Sequence, residues 1–303
     1  MPVIIPTGLP AQDILKEENI LVMDTDRAKQ QDIRPLNVAL VNLMPTKIAT
    51  ETQFTRLLSG SPIQIYLDLI YTSSYTPKNI SMQHIRHFYK GINQVKDKKY
   101  DAIIVTGAPV ENLPFKDVDY WQEMQQILEF TRTNSTTSIY ICWGAQAALH
   151  HFYGLEKHPL PKKLFGVFPH KITSFEHYLF HGFDDVFYAP HSRHTYIKTE
   201  DIAQLKDVDI LAYSQEAGVH IAATKDMKRI FMMGHGEYDK YTLDKEYKRD
   251  LKKGLDINLP KNYYQDDDPE KEPIVRWRAH TNLLFKNIIN MVYQITPFDI
   301  NDI

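Results

Sequence analysis

The stretch from residue 137 to residue 154 constrains the fold more than any other part of this chain. It joins a strand pattern to a helix pattern without a loop between them. Ser138 to Ile141 are short and rich in strand formers, whereas the following residues repeat apolar side chains at helical spacing, at Ala145, Ala148, Leu149 and Phe152. Gly154 offers a left-handed stop. The pattern predicts a strand that runs directly into a helix, with Cys142 at the turn.

The position of Cys142 favours chemistry over packing. It is the one cysteine in the sequence. A strand-to-helix turn lifts its side chain above the end of a sheet, beside free N–H groups of the helix N-terminus, which stabilise a thiolate and can hold an oxyanion. Gly144 lets the backbone turn tightly. The alternative is an inert core residue, since free cysteine is among the most buried residue types.

Strand and helix patterns alternate through the first half of the chain. Strands are predicted at 36–43, 63–70 and 100–106, and helices at 46–58, 81–92 and along the face of Trp121, Met124 and Leu128. Shorter strand-like segments follow at 165–168, 185–188, 208–213, 219–223 and 230–233. We therefore expect an α/β fold with a mostly parallel sheet flanked by helices and a more antiparallel C-terminal part. Its ligand site should lie beyond the carboxyl ends of the strands.

The two ends of the chain have different patterns. Residues 1–35 carry early prolines, a charged stretch at Lys16-Glu17-Glu18 and another from Asp24 to Asp32, so we expect an N-terminal arm rather than a sheet element. Residues 36–303 are predicted to form a single α/β domain, with a charged helix at 243–255 and a last helix that opens at Pro273. Such an arm would suit contact with a partner subunit.

Composition narrows the functional class. The formal net charge of −3 provides no general field for nucleic acid or an anionic membrane. No stretch approaches the roughly 20 apolar residues of a membrane span, and the N-terminus lacks the pattern of a signal peptide. A single cysteine excludes an intramolecular disulfide framework and fits a reducing compartment. We expect a cytoplasmic enzyme that binds no nucleic acid and no membrane.

A cysteine nucleophile needs a base, and His235 is the best candidate among 13 histidines. It follows an apolar strand and lies between two glycines, in Gly234-His235-Gly236-Glu237. Residues two apart in extended chain point the same way, so Glu237 can hold one ring nitrogen while the other faces the thiol. The pattern predicts a Cys142-His235-Glu237 arrangement, and the alternative is a strand-end histidine beside a solvated glutamate.

Metal and nucleotide sites have weaker support. His191 and His194 are spaced i and i+3, but no cysteine or acidic ligand lies close in sequence to complete a zinc site. The run Asp266-Asp267-Asp268 lacks the spaced ligands of a calcium site and is better interpreted as a solvated loop. Signatures of nucleotide-binding loops, zinc proteases and serine hydrolases are absent. We therefore expect no metal and no cofactor.

Three of these segments resemble the class I glutamine amidotransferase superfamily, which has a flavodoxin-like fold: 140–146 around Cys142, 106–111 with Gly107, and 235–237. Tyr140 departs from that pattern, because those glutaminases usually carry glycine there. The fuller resemblance is to the homoserine O-acyltransferase family of methionine biosynthesis. Its motifs occur in order along nearly the whole chain, at 42–47, 106–111, 142–148, 191–193 and 234–238.

The resemblance implies that Cys142 takes an acyl group from an acyl-CoA and passes it to the hydroxyl of L-homoserine. His235 would be the general base and Glu237 the residue that orients it. Lys163, Ser192 and Arg249 would line the homoserine site, and a homodimer is expected. The backbone N–H groups of Gly107 and Trp143 are candidates for the oxyanion hole.

The resemblance leaves the donor open between acetyl-CoA and succinyl-CoA, and Glu111 favours the acetyl donor. It stands four residues past Gly107, on the loop along which the acyl tail should lie. Two like charges about 4 Å apart repel by about 4 kcal/mol at an effective dielectric of 20, so a succinyl carboxylate is disfavoured there. Two other functions remain as alternatives, a glutaminase-like amide hydrolase and a thiol redox sensor that is not an enzyme.

Overall fold

Alternating strands and helices make up the first half of the protein. The computed structural model describes residues 3–18, 22–25, 34–74, 80–174, 176–297 and 299–303. In chain order the first elements are β1 (Val3–Ile5), α1 (Ala11–Glu17), β2 (Val22–Asp24), β3 (Leu36–Val41), α2 (Lys47–Leu58), β4 (Ile65–Tyr71), α3 (Met82–Phe88), β5 (Tyr89–Gly91), α4 (Ile92–Val95), β6 (Tyr100–Val105), α5 (Trp121–Asn134), β7 (Ser135–Ile141) and α6 (Trp143–Tyr153).

Longer strands dominate the second half. The elements are β8 (Lys157–Ile172), β9 (Val186–Ile197), α7 (Thr199–Ala203), β10 (Val208–Ser214), β11 (Gly218–Thr224), β12 (Arg229–Met232), α8 (Thr242–Lys252) and α9 (Arg278–Ile295), with short 3₁₀ turns at Phe115–Asp117, Tyr178–Phe180, Gln265–Asp267 and Ile300–Asp302. The last helix begins at Arg278 and not at Pro273, so that predicted start is wrong. Pro273 instead lies in an isolated bridge with Tyr264. No helix among the described residues is long and apolar enough to cross a membrane.

All the described strands belong to one sheet, in the order β2-β1-β4-β3-β6-β7-β12-β11-β10-β8-β9, with β5 beside β4. Pairing is parallel from β2 to β12 and antiparallel from β12 to β9. This arrangement confirms the predicted α/β class, with a mostly parallel sheet and an antiparallel C-terminal part. The late strand β12 lies directly beside β7.

Apolar side chains on both faces of the sheet explain the stability of its centre. Along β3, Val38 and Leu40 pack into one core layer, whereas Ala39 and Val41 pack into the other. Successive side chains of a strand point to opposite faces, so a strand covered on both sides is mostly apolar along its length. The continuous apolar run of β3 is therefore typical of a central parallel strand.

The prediction of an arm without sheet structure is wrong for part of the first 35 residues. Strand β1 pairs in parallel with β4, with Val3 opposite Ile65, and β2 extends the sheet beyond it. All three residues of β1 are apolar and fully or almost fully buried, which makes this strand part of the core. The predicted charged stretch lies mostly outside the described residues, at 26–33. A single domain over 36–303 stays a prediction.

Strand β1 generates a stability prediction. Ile5 is fully buried, so Ile5→Ala should lower the free energy of unfolding by about 2–5 kcal/mol through lost burial and a cavity. Ile14→Ala is the matched control, because Ile14 on α1 is 38% exposed and should change the free energy by less than about 1 kcal/mol. Urea unfolding of both variants measures the difference. Equal, small changes would show that β1 contributes nothing to the stability of the fold.

Candidate active site

Three neighbouring parallel strands end at the same edge of the sheet, and each leads into a candidate residue. Gly107 follows β6, Cys142 follows β7 and His235 follows β12. The register aligns these ends, because Val105 lies opposite Tyr140 and Ile141 lies opposite Met232. Gly107 and His235 are 128 residues apart in the sequence, and the order of the strands in the sheet brings them together.

Cys142 occupies the strand-to-helix turn that the sequence predicted. Its backbone has φ 49° and ψ −113°, a strained conformation for a residue with a side chain. Its N–H donates to the Met232 carbonyl at 2.7 Å, which ties the turn to β12. A Cβ on Gly144 would lie 2.7 Å from the Thr106 carbonyl oxygen, so glycine is needed where the helix approaches β6. Cys142 is buried but lines a cleft, which places the thiol where a ligand can reach it.

His235 lies between the thiol and a carboxylate. Its Nδ1 is 2.7 Å from Glu237 Oε1, and its ring stacks on Tyr238 with 4.2 Å between the ring centroids. Burial alone would lower the pKa of His235, but the negative charges of Cys142 and Glu237, with their hydrogen bonds, raise it well above its usual value. The imidazolium is therefore favoured when the thiol is ionised, and Nε2 remains for the sulfur.

Two backbone N–H groups next to the sulfur fit an oxyanion site. Trp143 is the first residue of α6, so its N–H has no partner inside the helix. Within the described ranges, no backbone carbonyl outside the regular elements accepts from Trp143 or Gly107. A Cβ on Gly107 would lie 3.4 Å from both Cys142 Cβ and His235 Cε1, which puts this backbone against both side chains.

The cleft above these residues has a volume of about 630 Å³. Lys163, Ser192 and Arg249, the three residues that the resemblance implies for an amino-acid site, all line it. Lys163 Nζ lies 3.3 Å from both Glu246 Oε2 and Asp250 Oδ2. Ser192 and Arg249 contact the same two acids, through Ser192 Oγ to Glu246 Oε2 at 2.5 Å and Arg249 Nε to Asp250 Oδ1 at 2.7 Å. Together these contacts join one charged wall, formed by Lys163, Arg249, Glu246 and Asp250, with the Ser192 hydroxyl beside it.

Glu111 lines this cleft. Burial raises the pKa of its carboxyl, although a hydrogen bond from the His194 backbone and the charge of Lys163 act in the opposite direction. Arg193 is a buried cation whose Nη atoms donate to the carbonyls of Thr195 and Ala217 at 3.0 and 2.6 Å. Its own pKa is lowered by burial and raised by the charges of Cys142 and Glu111, so its charge acts on both groups.

The sequence motif at 42–47 forms another wall of the cleft. Asn42 Nδ2 donates to the Tyr89 hydroxyl at 2.9 Å, and Lys47 Nζ donates to the Asn42 carbonyl. Burial lowers the pKa of Lys47 to about 8, despite the attraction of Glu51. These buried contacts brace the turn between β3 and α2, and residues Met44, Pro45 and Thr46 of that turn line the cleft.

Sequence reasoning missed Glu246, Asp250 and Arg193 as residues of the site. A signal for the two acids was present, because Glu246, Arg249, Asp250 and Lys253 recur at helical spacing, and one face of α8 should carry them together. Arg193 belongs to the motif at 191–193, yet only the strand geometry of β9 reveals that it is buried near the thiol.

One group within the described residues has ligand types and spacing suited to a metal ion, His170, His191 and His220, whose candidate ligand nitrogens lie within 4.8 Å. Burial lowers the pKa of all three, to about 3 for His170, and the charge of Arg193 lowers them further. His170 Nε2 and His191 Nε2 lie 3.1 Å apart, at hydrogen-bond distance from each other, which fits a neutral packed cluster. His194 lines the cleft instead. The absence of a catalytic metal stays a prediction.

Comparisons with known proteins cover nearly the whole chain. Residues 2–298 match the family model of homoserine O-succinyltransferase. A protein of Acetivibrio thermocellus named homoserine O-acetyltransferase is 52% identical over 304 residues, covering 100% of both chains. A protein of Clostridium acetobutylicum with the same name is 54% identical over 301 residues, covering 99% of this chain and 100% of that protein.

Solved structures share the fold at low identity. A glutamine amidotransferase of Thermotoga maritima aligns with a TM-score of 0.54 at 11% identity, covering 86% of this chain and 99% of that chain. A glutamine amidotransferase of Methylobacillus flagellatus aligns with a TM-score of 0.53 at 12% identity, covering 87% and 95%. The likeness establishes a class I glutamine amidotransferase-like fold and nothing about activity.

Proposed function

Since the chain belongs to the homoserine O-acyltransferase family, we propose that it is a homoserine O-acetyltransferase of methionine biosynthesis. The reaction moves an acetyl group from acetyl-CoA to the side-chain hydroxyl of L-homoserine. The observation that carries the proposal is the meeting of Cys142 with the His235–Glu237 pair in a cleft that also holds the charged wall of Lys163, Arg249, Glu246 and Asp250. The family that the sequence motifs indicated is confirmed by the family model and by the similar relatives.

The first step forms an acyl-enzyme at Cys142. His235 takes the thiol proton, and the thiolate attacks the thioester carbonyl carbon of acetyl-CoA. The developing oxyanion accepts hydrogen bonds from the N–H groups of Gly107 and Trp143. When the tetrahedral intermediate collapses, the bond to the CoA sulfur breaks, and His235 returns the proton to the departing thiolate. A thioester exchanges for a thioester, so this step is chemically balanced and reversible.

The second step passes the acetyl group to homoserine. His235 now takes the proton of the homoserine hydroxyl, whose oxygen attacks the Cys142 thioester. The same N–H groups hold the oxyanion, the carbon–sulfur bond breaks, and the sulfur regains the proton from His235. Glu237 stabilises the imidazolium in both steps through its 2.7 Å contact with Nδ1. The products are O-acetyl-L-homoserine and free enzyme.

The amino-acid end of homoserine meets the charged wall. Arg249 can form a bidentate hydrogen bond with the carboxylate of homoserine, because the contact of its Nε with Asp250 leaves the Nη groups for a ligand. Lys163 adds a second positive charge, and Ser192 supplies a hydroxyl for a hydrogen bond. All three line the cleft that contains Cys142, which supports their assignment to the acceptor site.

Glu111 supports acetyl-CoA as the donor over succinyl-CoA. Its carboxyl is held by the His194 backbone N–H inside the cleft, where a succinyl tail would bring a second negative charge. An acetyl group has no such charge and needs less room. The names of the relatives at 52–54% identity agree with this choice. We further expect a cytoplasmic homodimer that binds only small-molecule substrates.

A substrate panel tests this function against its alternatives. The protein is mixed with acetyl-CoA, succinyl-CoA or glutamine, with and without homoserine, and release of CoA or ammonia is followed. Steady CoA release that requires homoserine and favours acetyl-CoA supports the proposal. Ammonia release from glutamine would indicate an amide hydrolase, as the shared fold allows, and no release from any donor would favour a redox sensor.

The catalytic pair generates a kinetic prediction. His235→Ala should lower kcat by about 10²–10⁴-fold, because the positioned base is lost. Glu237→Gln should lower kcat by a smaller factor, since an amide oxygen can still accept a hydrogen bond from Nδ1 of His235 and keep the ring oriented. Rates of CoA release with saturating acetyl-CoA and homoserine provide the measurement. A near-normal rate in His235→Ala would assign the base to another residue.

Donor choice should depend on the charge of Glu111. Glu111→Gln removes charge at nearly constant size, whereas Glu111→Ala also removes bulk, so comparing kcat/KM for succinyl-CoA and acetyl-CoA separates charge from space. We expect Gln to shift the ratio toward succinyl-CoA by about tenfold or more, and Ala to shift it further.

The same ratio should depend on pH in the wild-type protein. Because the pKa of Glu111 is raised, its carboxyl gains a proton at a higher pH than an ordinary glutamate. Discrimination against succinyl-CoA should therefore weaken as the pH falls, and the Gln variant should lack this dependence. A wild type that prefers succinyl-CoA would contradict the assignment of acetyl-CoA as the donor. A ratio of kcat/KM values that neither substitution changes would contradict the role of Glu111 in donor choice.

A further inference from the structure

Glu246 is the acid at the centre of the charged wall, and its two oxygens have unequal surroundings. Oε2 accepts from Ser192 Oγ at 2.5 Å and lies 3.3 Å from Lys163 Nζ. Oε1 has one long contact, from the Tyr238 hydroxyl at 3.3 Å. An ionised carboxylate offers about four lone-pair sites on its two oxygens. Oε1 therefore has capacity for a further donor from a bound molecule.

The charges of the wall sum to zero. Two cations, Lys163 and Arg249, stand beside two acids, Glu246 and Asp250, and the four line the same cleft. An acceptor that carried only a carboxylate would meet two like charges in this wall. A zwitterion with both an ammonium and a carboxylate satisfies both kinds of group. The wall therefore has the charge pattern of a site for an α-amino acid.

Tyr238 contacts both Glu246 and the base, His235. The His235 ring stacks on the ring of Tyr238, and the hydroxyl of the same tyrosine reaches Glu246 Oε1. One aromatic side chain thus spans the gap between the base and the acid. Burial, together with the charges of Glu246 and Glu237, raises the pKa of Tyr238 well above its usual value, so the hydroxyl keeps its proton and donates.

We propose that Glu246 binds the α-ammonium group of the acceptor, opposite the carboxylate held by Arg249, and so selects a zwitterionic amino acid whose hydroxyl reaches His235. This inference rests on the proposed acyl transfer and deepens its second step. It assigns Glu246 a direct contact with substrate, in contrast to a purely structural role of orienting Lys163 and Ser192. The two roles differ in how the effect of a substitution depends on the acceptor.

The test separates the two halves of the reaction. Glu246→Gln keeps the size of the side chain and one acceptor oxygen but removes the charge, and its NH₂ group replaces the second acceptor oxygen. Acyl-enzyme formation from acetyl-CoA, measured by the first turnover of CoA release without an acceptor, should match the wild type. Discharge of that acyl-enzyme by L-homoserine should require a concentration roughly 10- to 100-fold higher, as expected for loss of one charged hydrogen bond.

Acceptor analogues then identify the contact. 4-Hydroxybutanoate lacks the ammonium, so its discharge rate, or its inhibition constant against homoserine where it is not acetylated, should change less than about threefold in Glu246→Gln. 3-Aminopropan-1-ol lacks the carboxylate. Its discharge of the acyl-enzyme should therefore still weaken in Glu246→Gln, but it should be the same in Arg249→Lys as in the wild type. Asp244→Asn is the matched control, because this acid is on the same helix but outside the cleft. It should leave homoserine dependence unchanged.

The outcomes separate the two proposals. Equal losses with homoserine and 4-hydroxybutanoate in Glu246→Gln would assign a structural role and overturn the ammonium contact. An unchanged homoserine dependence would overturn it as well. A wild type that fails to form an acyl-enzyme from acetyl-CoA contradicts the proposed function instead, before any acceptor is added.

Discussion

Parallel pairing of β7 with β6 on one side and β12 on the other is the constraint on which the site depends. It aligns the carboxyl ends of three strands, so that Gly107, Cys142 and His235 meet although they lie far apart in the chain. The hydrogen bond from the Cys142 N–H to Met232 extends this pairing into the turn itself. A register shift of one residue would turn every side chain of a strand to the opposite face. The buried faces of these strands therefore fix the catalytic geometry together with the fold.

Electrostatics within the cleft follow from this geometry. The thiol, imidazole and carboxylate of Cys142, His235 and Glu237 are buried, where charges interact more strongly than in water. The two anions raise the pKa of His235, and the charges of Cys142 and Glu111 oppose the lowering of the pKa of Arg193 by burial. Proton transfer between sulfur and imidazole therefore redistributes charge inside a site whose surroundings are already oriented to receive it, with little reorganisation of solvent.

Local sequence patterns predicted the parts of the site that local chemistry determines. The turn at Cys142 and the pairing of His235 with Glu237 follow from neighbouring residues, and the strand patterns indicated the α/β class. The sheet position of β1 was missed, because three apolar residues are too short to show a period and prolines nearby suggested irregular structure. Helical spacing along α8 places Glu246 on one face with Arg249, but its contact with Ser192 joins distant elements, as do the contacts within the His170 cluster. Spacing along the chain does not reveal such contacts.

The central claim is that the acetyl group rests on Cys142 between donor and acceptor. Intact-protein mass spectrometry after brief mixing with acetyl-CoA, in the absence of homoserine, tests it most directly. The account predicts one acetyl adduct on the wild type, its removal on addition of L-homoserine, and no adduct on Cys142→Ser, because an alcohol is far less ionised than a thiol at neutral pH. Turnover without any adduct, or an adduct that homoserine does not remove, would contradict the account.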